Sequence, residues 1–578
     1  MYLEQLKIWN FRKFGRDSEF ELDKPNLDLH FQKGINILIG ENDSGKTAII
    51  DAIKIVLKTH SYEYVRFNLE DFHNETERIR IEIIFKELNN EEAKNFTEWL
   101  GWTKNGDSTE LFLRLILDVK RKSEKILPFE VKAGADESGH TLDAEAREYL
   151  KCTYLKPLRD AENELIAKKN SRLSQILIGD EAFKGREDNH PLVELYNFYN
   201  TQLSKYFNGD TIIYIDNNNE TKTINTTDGK NIKDKIDSFI RTFFDVNEES
   251  RFDTPANDVK AILEKITLLL KNERNPGLGT LNRLFMASEL LHLSKSDWSG
   301  LRLGLIEELE AHLHPQAQLQ VISTLKNLTD IQFILTTHSP NIASRVDLKS
   351  IIICHNSEAY SLTPSKTNLE EKDYEFLEIF LDTKKSDLFF AKGLIFVEGW
   401  AEEIIIPAIA AKMNINLVEK GVSVINVGST AFLRYSKIFQ RKQSSQMTIP
   451  VSIVRDLDIK PDEVKFYETR EKKIEEFMKE FDGGPVKVFV SNFWTLEYCL
   501  LKSGLFGKKF KECVEKVHSG TDWSNFEEKL IEKLKNHSLD KVEIAYCLRN
   551  NLTNVDLNCI DNDAISYIMR AIKYASRC

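Results

Sequence analysis

The stretch INILIGENDSGKTAIIDAIKIVL, from Ile35 to Leu57, opens with a short apolar run that stops at Gly40. It continues with Ile49, Ile50, Ile53, Val56 and Leu57 at helical spacing. The pattern predicts a strand that runs into a helix. Between the two, Gly40-Glu41-Asn42-Asp43-Ser44-Gly45-Lys46-Thr47 satisfies G-x-x-x-x-G-K-[ST]. Glycines let the backbone turn tightly so that its N–H groups face phosphate, which makes Gly40, Asn42 and Gly45 candidate nucleotide contacts. Lys46 is placed to reach the β- and γ-phosphates, and the Thr47 hydroxyl to bind Mg²⁺ at the helix N-terminus. ATP is the expected cofactor.

Partner elements stand far downstream. The apolar run Leu303-Gly304-Leu305-Ile306 leads into Glu307-Glu308, as a buried strand does when it delivers two carboxylates to the phosphate end of such a site. One acid is needed at the Mg²⁺ and a second to polarise the attacking water, so Glu307 is assigned to the metal and Glu308 to the water. A second apolar run, QFILTTHSP, ends in His338, a candidate for contact with the γ-phosphate. An acidic pair alone is ordinarily a solvated face, and a lone His is ordinarily a packing or surface residue. Their order and strand-end placement after the loop carry the assignment.

At 578 residues the chain is too long for one ordinary core and long enough for two or three domains. Its 79 Lys+Arg against 91 Asp+Glu give a net charge of -12, which excludes a general polyanion coat and confines any nucleic-acid contact to a local surface. Candidate basic patches are Lys168-Lys169 with Arg172 and Lys472-Lys473 with Arg470. No apolar run approaches the roughly 20 residues that span a bilayer, so no membrane contact is expected. The seven cysteines are odd in number, scattered and never in C-x-x-C, so neither a disulfide framework nor a zinc site is expected, and Cys547 reads as packing. A reducing cytoplasm fits best.

Runs between Arg78 and Lys120 predict an antiparallel lobe, whereas residues 159–271 read as largely helical with Asn/Asp/Gly loops such as DNNNETKTINTTDGKN. A charged stretch from about Ser365 to Asp387 reads as a connector. Beyond it, GLIFVEG, GVSVINVG, PVSIVRDLD and PVKVFVS are short β-rich runs separated by helical patterns, as in a parallel α/β sheet. Glu398 ends the first run and Glu402 and Glu403 open the next helix, where Glu403 reads as a solvated face. Alternation places Asp456 and Asp458 on the same side of an extended segment, where they can share a cation. Clustered carboxylates are costly unless a hard cation neutralises them, which points to Mg²⁺ or Mn²⁺.

Taken together, Gly40–Thr47, EELEAHLHPQ and TTHSP resemble the ABC/SMC/RecF-like P-loop ATPases, and more narrowly the OLD (overcoming lysogenisation defect) nucleases. E-G-x-x-E followed by D-x-D resembles a Toprim domain. The resemblance implies an α/β protein: an ATPase in residues 1–158 and 266–385, a helical dimerisation insertion in 159–265, and a Rossmann-like Toprim nuclease domain in 386–578. It also implies that Glu398 and Glu402 take one side of a two-ion site, Asp456 and Asp458 the other. Thr495-Leu496-Glu497-Tyr498 and Lys541-x-x-x-Ala545 look like further motifs of this group, making Glu497 another ligand and Lys541 a stabiliser of negative charge on phosphate. Three departures stand out. Gly277-Leu278-Gly279-Thr280 replaces the Ser-Gly-Gly signature, Leu309 stands where Pro is usual, and Glu307 where many relatives have Asp.

The expected activity is an ATP-gated DNA endonuclease or nickase in bacterial antiviral defence. The competing expectation is an ATP-dependent clamp or recombination mediator whose carboxylate domain binds metal and DNA without cutting. A topoisomerase lacks room for a DNA gate bearing a tyrosine nucleophile, and a primase would bring a zinc ribbon. Expected partners are DNA, a second copy of the chain or a higher homo-oligomer, and a defence protein that is helicase-like or a reverse transcriptase with its DNA product.

Overall fold

A computed structural model describes residues 1–17, 19–60, 67–105, 108–156, 165–180, 182–183, 190–244, 249–252, 258–271, 276–293, 300–382, 384–428, 431–442, 446–461, 466–552 and 563–578. The expected junction at residues 158 and 159 lies outside the described residues, as does Cys559. Two compact units form: Met1–His60, Tyr64–Pro157 and Ser299–Cys578 make the first, and Ser61–Glu63 with Leu158–Trp298 the second.

In the first unit a six-stranded sheet has the order Thr153–Leu155, Leu303–Ile306, Gln332–Thr337, Ile35–Ile39, Ile351–His355, Glu358–Ser361. Its first five strands are parallel and the last is antiparallel. Every residue of Ile35–Ile39 is buried, which is why this strand reads as an apolar run interrupted only by Asn36, whose Nδ2 donates to the Gln32 carbonyl at 2.7 Å. Register pairs Ile39 with Thr337 and Ile306 with Leu335, so Gly40, Glu307 and His338 leave the sheet at one edge. The helix Lys46–Leu57 packs Ile49 and Ile53 with Leu6, Ile8, Ile81 and Ile83 of an antiparallel sheet in one core. Each such buried side chain stabilises by about 1.5–3 kcal/mol. That second sheet has the order Leu27–His30, Tyr2–Trp9, Arg78–Lys86, Ser108–Lys122, Val131–Ala133, His140–Thr141.

The C-terminal part of the same unit carries a wholly parallel sheet in the order Val422–Asn426, Gly393–Val397, Val451–Arg455, Val486–Val490. The charged segment expected to be a connector is instead packed structure. Its described residues include the helix Glu371–Phe380, with Tyr374 and Leu377 buried, and the short turn Lys385–Phe389. Asp373, 2% exposed, ion-pairs with Lys437 at 2.8 Å, so apolar residues and paired charges dock a stretch that charge content alone makes look loose.

The second unit contains the helices Pro191–Asn208, Thr227–Phe244 and Leu278–Leu293, with Val193, Val259, Ile262 and Leu263 in its core. The helix Leu278–Leu293 begins within Gly277–Thr280. The segment read as an Asn/Asp/Gly loop, residues 216–231, supplies the tip and second strand of a hairpin, Ile212–Ile215 with Thr221–Ile224, and then opens the helix Thr227–Phe244; the tip is held by the Asp216 carboxylate accepting from the Asn218 and Glu220 amides at 2.9 Å. Arg172 is buried on Glu289 at 2.5 and 2.8 Å, which removes it from the basic surface patch expected with Lys168-Lys169. A further correction concerns the cysteines. Cys513 and Cys547 form a disulfide between the helices Gly507–Val517 and Lys541–Asn551, with 5.7 Å between Cα atoms. Their pairing depends on helix packing across 34 residues, which no local spacing reveals.

Candidate functional site

The loop Gly40–Thr47 joins its strand to its helix through Gly45 at φ 106, where a Cβ would lie 2.7 Å from Phe14 Cζ. It borders a cavity of about 700 Å³ whose lining includes Arg12, Lys46, Thr47, Glu307, Glu308 and His338. Asn42 and Gly45 also line it, and Gly40 sits at the strand end just behind. Lys46 Nζ donates to the carbonyls of Gly40 at 2.9 Å and Glu41 at 2.6 Å, so the ammonium is held over the loop it must serve. Burial lowers its pKa and outweighs the neighbouring acids Glu310, Glu308 and Glu41, which raise it.

Thr47 Oγ1 donates to Glu307 Oε2 at 3.0 Å, joining the two groups that sequence assigned to one Mg²⁺. Glu307 Oε1 accepts from the Tyr154 hydroxyl at 2.8 Å. Burial raises the Glu307 pKa against these two bonds, which favours a neutralising cation beside it. Glu308 has φ 45 and its amide donates to Thr336 Oγ1 at 2.9 Å, which turns the acid out of the strand line into the cavity. His338 is half-buried. Burial first, then the Lys46 charge, lowers its pKa and keeps the imidazole neutral at physiological pH.

Three further residues belong to this site. Glu310 accepts from Thr337 Oγ1 at 2.7 Å and the His338 amide at 2.6 Å, fixing the histidine loop. Arg12 is pinned by Asp51 at 2.6 Å and Asp71 at 2.8 Å on the cavity wall. Tyr154 comes from a strand beside Leu303–Ile306 in space and about 150 residues away in sequence. An acid two residues beyond the Glu307-Glu308 pair was the available signal for Glu310; Arg12 and Tyr154 had none.

The second cluster gathers at the carboxyl edge of the C-terminal sheet. The chain passes from Gly393–Val397 to a strand on one side, Val422–Asn426, and then to Val451–Arg455 on the other. Ends of such adjacent strands flank a switch point, where parallel sheets hold ligands. Glu398 follows the first of these strands and Asp456 the second. Glu402 lies in the first turn of the helix Trp400–Lys412, Glu497 in that of Leu496–Lys502, and Lys541 begins Lys541–Asn551. Lys541 Nζ stands 3.0 Å from Glu497 Oε2, so it is a member of the cluster and not a free surface lysine.

The acids act on one another. Burial, then Glu497, pushes Glu402 up to about 7, and burial, then Glu402, Glu497 and Glu398, raises Asp456 well above the usual carboxylate range. Glu398 is raised by burial and then by Asp458. Lys541 is raised: burial opposes, and Glu497 and Asp456 overcome it.

Among the described residues no three His, Cys, Asp or Glu side chains stand close enough to chelate an ion as placed. The donor chemistry fits a hard cation nonetheless. Glu398 Oε1 and Glu497 Oε1 are buried carboxylate oxygens without hydrogen-bond partners, among acids that burial and mutual repulsion hold towards protonation.

Two expectations change in this cluster. Extended alternation stops at Arg455: Asp458 has φ 58 and is exposed, so it shares no strand face with Asp456 and reaches the cluster from its rim, through Glu398. Its amide bonds to the Trp494 carbonyl at 3.1 Å, which bends the chain there. Glu403 is not a bare solvated residue but takes Lys384 at 2.6 Å.

Residues 35–344 match the family described as "AAA domain, putative AbiEii toxin, Type IV TA system", and residues 389–458 match "Overcoming lysogenization defect protein-like, TOPRIM domain". An Endonuclease GajA of Bacillus cereus (strain HuB5-5) is 24% identical over 565 residues, covering 80% of this chain and 77% of that one. A second, from Bacillus cereus (strain VD045), is 23% identical over 455 residues, covering 75% and 72%. An OLD nuclease of Thermus scotoductus is 26% identical over 190 residues, covering 31% and 35%.

Proposed function

The chain belongs to the AAA domain family and is an OLD family ATPase–Toprim protein, and from that membership we propose how its two sites work together. It is an ATP-dependent nuclease of defence, with DNA as substrate and a divalent metal in use. The observation that carries the reading is the acid cluster of Glu398, Glu402, Asp456 and Glu497 at the switch point, in the same chain as a formed P-loop.

In our reading Glu398, Glu402, Asp456, Asp458 and Glu497 hold Mg²⁺ or Mn²⁺, two ions in all. Bound there, the metal supplies an activated water and neutralises charge on the attacking and leaving oxygens. Asp456 and Glu402 give up their protons as the cation enters. Lys541 orients Glu497 and offers its ammonium to the charge that develops on phosphate. At the other site Lys46 and the loop amides of Asn42 and Gly45 bind the nucleotide phosphates, Thr47 and Glu307 hold the accompanying Mg²⁺, Glu308 polarises water, and neutral His338 faces the terminal phosphate. Homodimerisation, and a defence partner that is helicase-like or a reverse transcriptase with its DNA product, belong to the same proposal.

Supercoiled plasmid incubated with Mg²⁺ or Mn²⁺, with and without ATP, tests it. Nicked or linear product is expected from the wild type, and none from Asp456→Ala, which is expected to bind ATP normally. Intact plasmid under every condition would leave the clamp reading in place.

A further inference from the structure

Arg455 ends the strand Val451–Arg455 directly before Asp456 and across the switch point from Glu398. Its Nε is buried without a hydrogen-bond partner, and so is Glu398 Oε1. The two atoms face each other at 3.9 Å, beyond the 2.7–3.2 Å range of an N–H···O bond. Buried polar atoms are seldom left unpaired, and two of opposite charge facing each other without closing the gap call for a reason.

The aromatic floor under Arg455 supplies one. The guanidinium carbon lies 4.0 Å from the ring centre of Phe477 and 5.3 Å from that of Phe481, both buried on the helix Phe466–Phe481. A guanidinium stacked in this way is held in plane and is kept from folding down onto the carboxylate. Lys541 divides its donors between Glu497, at 3.0 Å, and the site, whereas Arg455 Nε has an N–H with no hydrogen-bond partner.

One ligand satisfies both atoms at once: an anionic oxygen on Arg455 Nε together with a cation on Glu398 Oε1. A free anion would meet the Glu398 carboxylate, and a bare cation would meet the guanidinium. A phosphate oxygen that arrives with its metal meets neither obstacle. We propose that Arg455 is a catalytic residue of the C-terminal site, binding a non-bridging oxygen of the DNA phosphodiester beside Glu398. This rests on the nuclease reading and adds to it the group that holds the substrate's phosphate.

The full-length chain, its Arg455→Gln variant and its Arg455→Lys variant test this in two assays. Plasmid cleavage with Mn²⁺ is expected to fall about 100-fold or more in Arg455→Gln, the scale of losing one charge-stabilising donor, with partial recovery in Arg455→Lys. Binding of a labelled duplex with Ca²⁺ in place of Mn²⁺, measured across a salt series, is expected to lose about one unit of the slope of log K against log salt in Arg455→Gln and to regain it in Arg455→Lys. Wild-type cleavage by Arg455→Gln, or slower cleavage with an unchanged salt slope, would overturn the proposal; the second outcome would mark Arg455 as only orienting Glu398. ATP binding at the P-loop reports that each variant is folded, and should Arg455→Gln fail to fold, Arg455→Met takes its place with the same expected losses of rate and salt slope. A wild type that cuts nothing would defeat the nuclease reading, while the salt slope would still judge phosphate binding by Arg455.

Discussion

Glu402 shows how a single acid links stability to pH. With its pKa moved from 4.5 to about 7, first by burial and then by Glu497, it binds a proton in the folded chain that it loses in the unfolded one. Its contribution is therefore complete below about pH 4.5 and is lost as pH rises through about 7. In EDTA the wild type is expected to melt at a lower temperature at pH 8 than at pH 5.5, and Glu402→Gln to lessen that drop; calorimetry at the two pH values decides, and an equal drop in the variant would remove the assignment. Mg²⁺ is expected to raise Tm more at pH 8, where fewer protons compete for the acids. Tyr154→Phe, which deletes the 2.8 Å bond to Glu307, is expected to cost about 1–2 kcal/mol in chemical denaturation and to slow ATP turnover.

Elements were legible where one period ruled them. Ile35–Ile39 and Lys46–Leu57 were read directly, because the buried parallel strand is apolar at every position but Asn36 and the helix repeats its apolar face. Gly45→Ala attacks their junction: a side chain at φ 106 would also press on Phe14, and loss of nucleotide binding is expected in a direct titration with ATP, with the rise in Tm on adding Mg²⁺ at pH 8 preserved. Alternation failed at Asp458, where the strand had already ended and a bond to the Trp494 carbonyl set a left-handed backbone. It also missed the hairpin of Ile212–Ile215 and Thr221–Ile224: its second strand, Thr-Lys-Thr-Ile, is exposed throughout, and its first, Ile-Ile-Tyr-Ile, buries only Ile212, so neither alternates between a core and a solvent face. Arg455 was adjacent to a recognised acid yet invisible, because what defines it is the pair of rings contributed by a later helix.

At the scale of the whole molecule, the ATPase sheet and the C-terminal sheet fall in one compact unit, and the segment between them is docked by Lys437 on Asp373. Lys437→Met leaves a buried carboxylate without its nearest cation and is expected to cost on the order of 3 kcal/mol, seen as a drop of several degrees in Tm. Nothing local in Ser365–Asp387 announces that pair, since its two members stand 64 residues apart. The strand order has a consequence for how the protein is made. Ile35–Ile39 lies between Gln332–Thr337 and Ile351–His355, so neither of its neighbours exists until about 300 further residues have left the ribosome. At roughly 5–20 residues per second the nascent P-loop strand stays without partners for about 15–60 s, an interval in which chaperones must shield it from other chains.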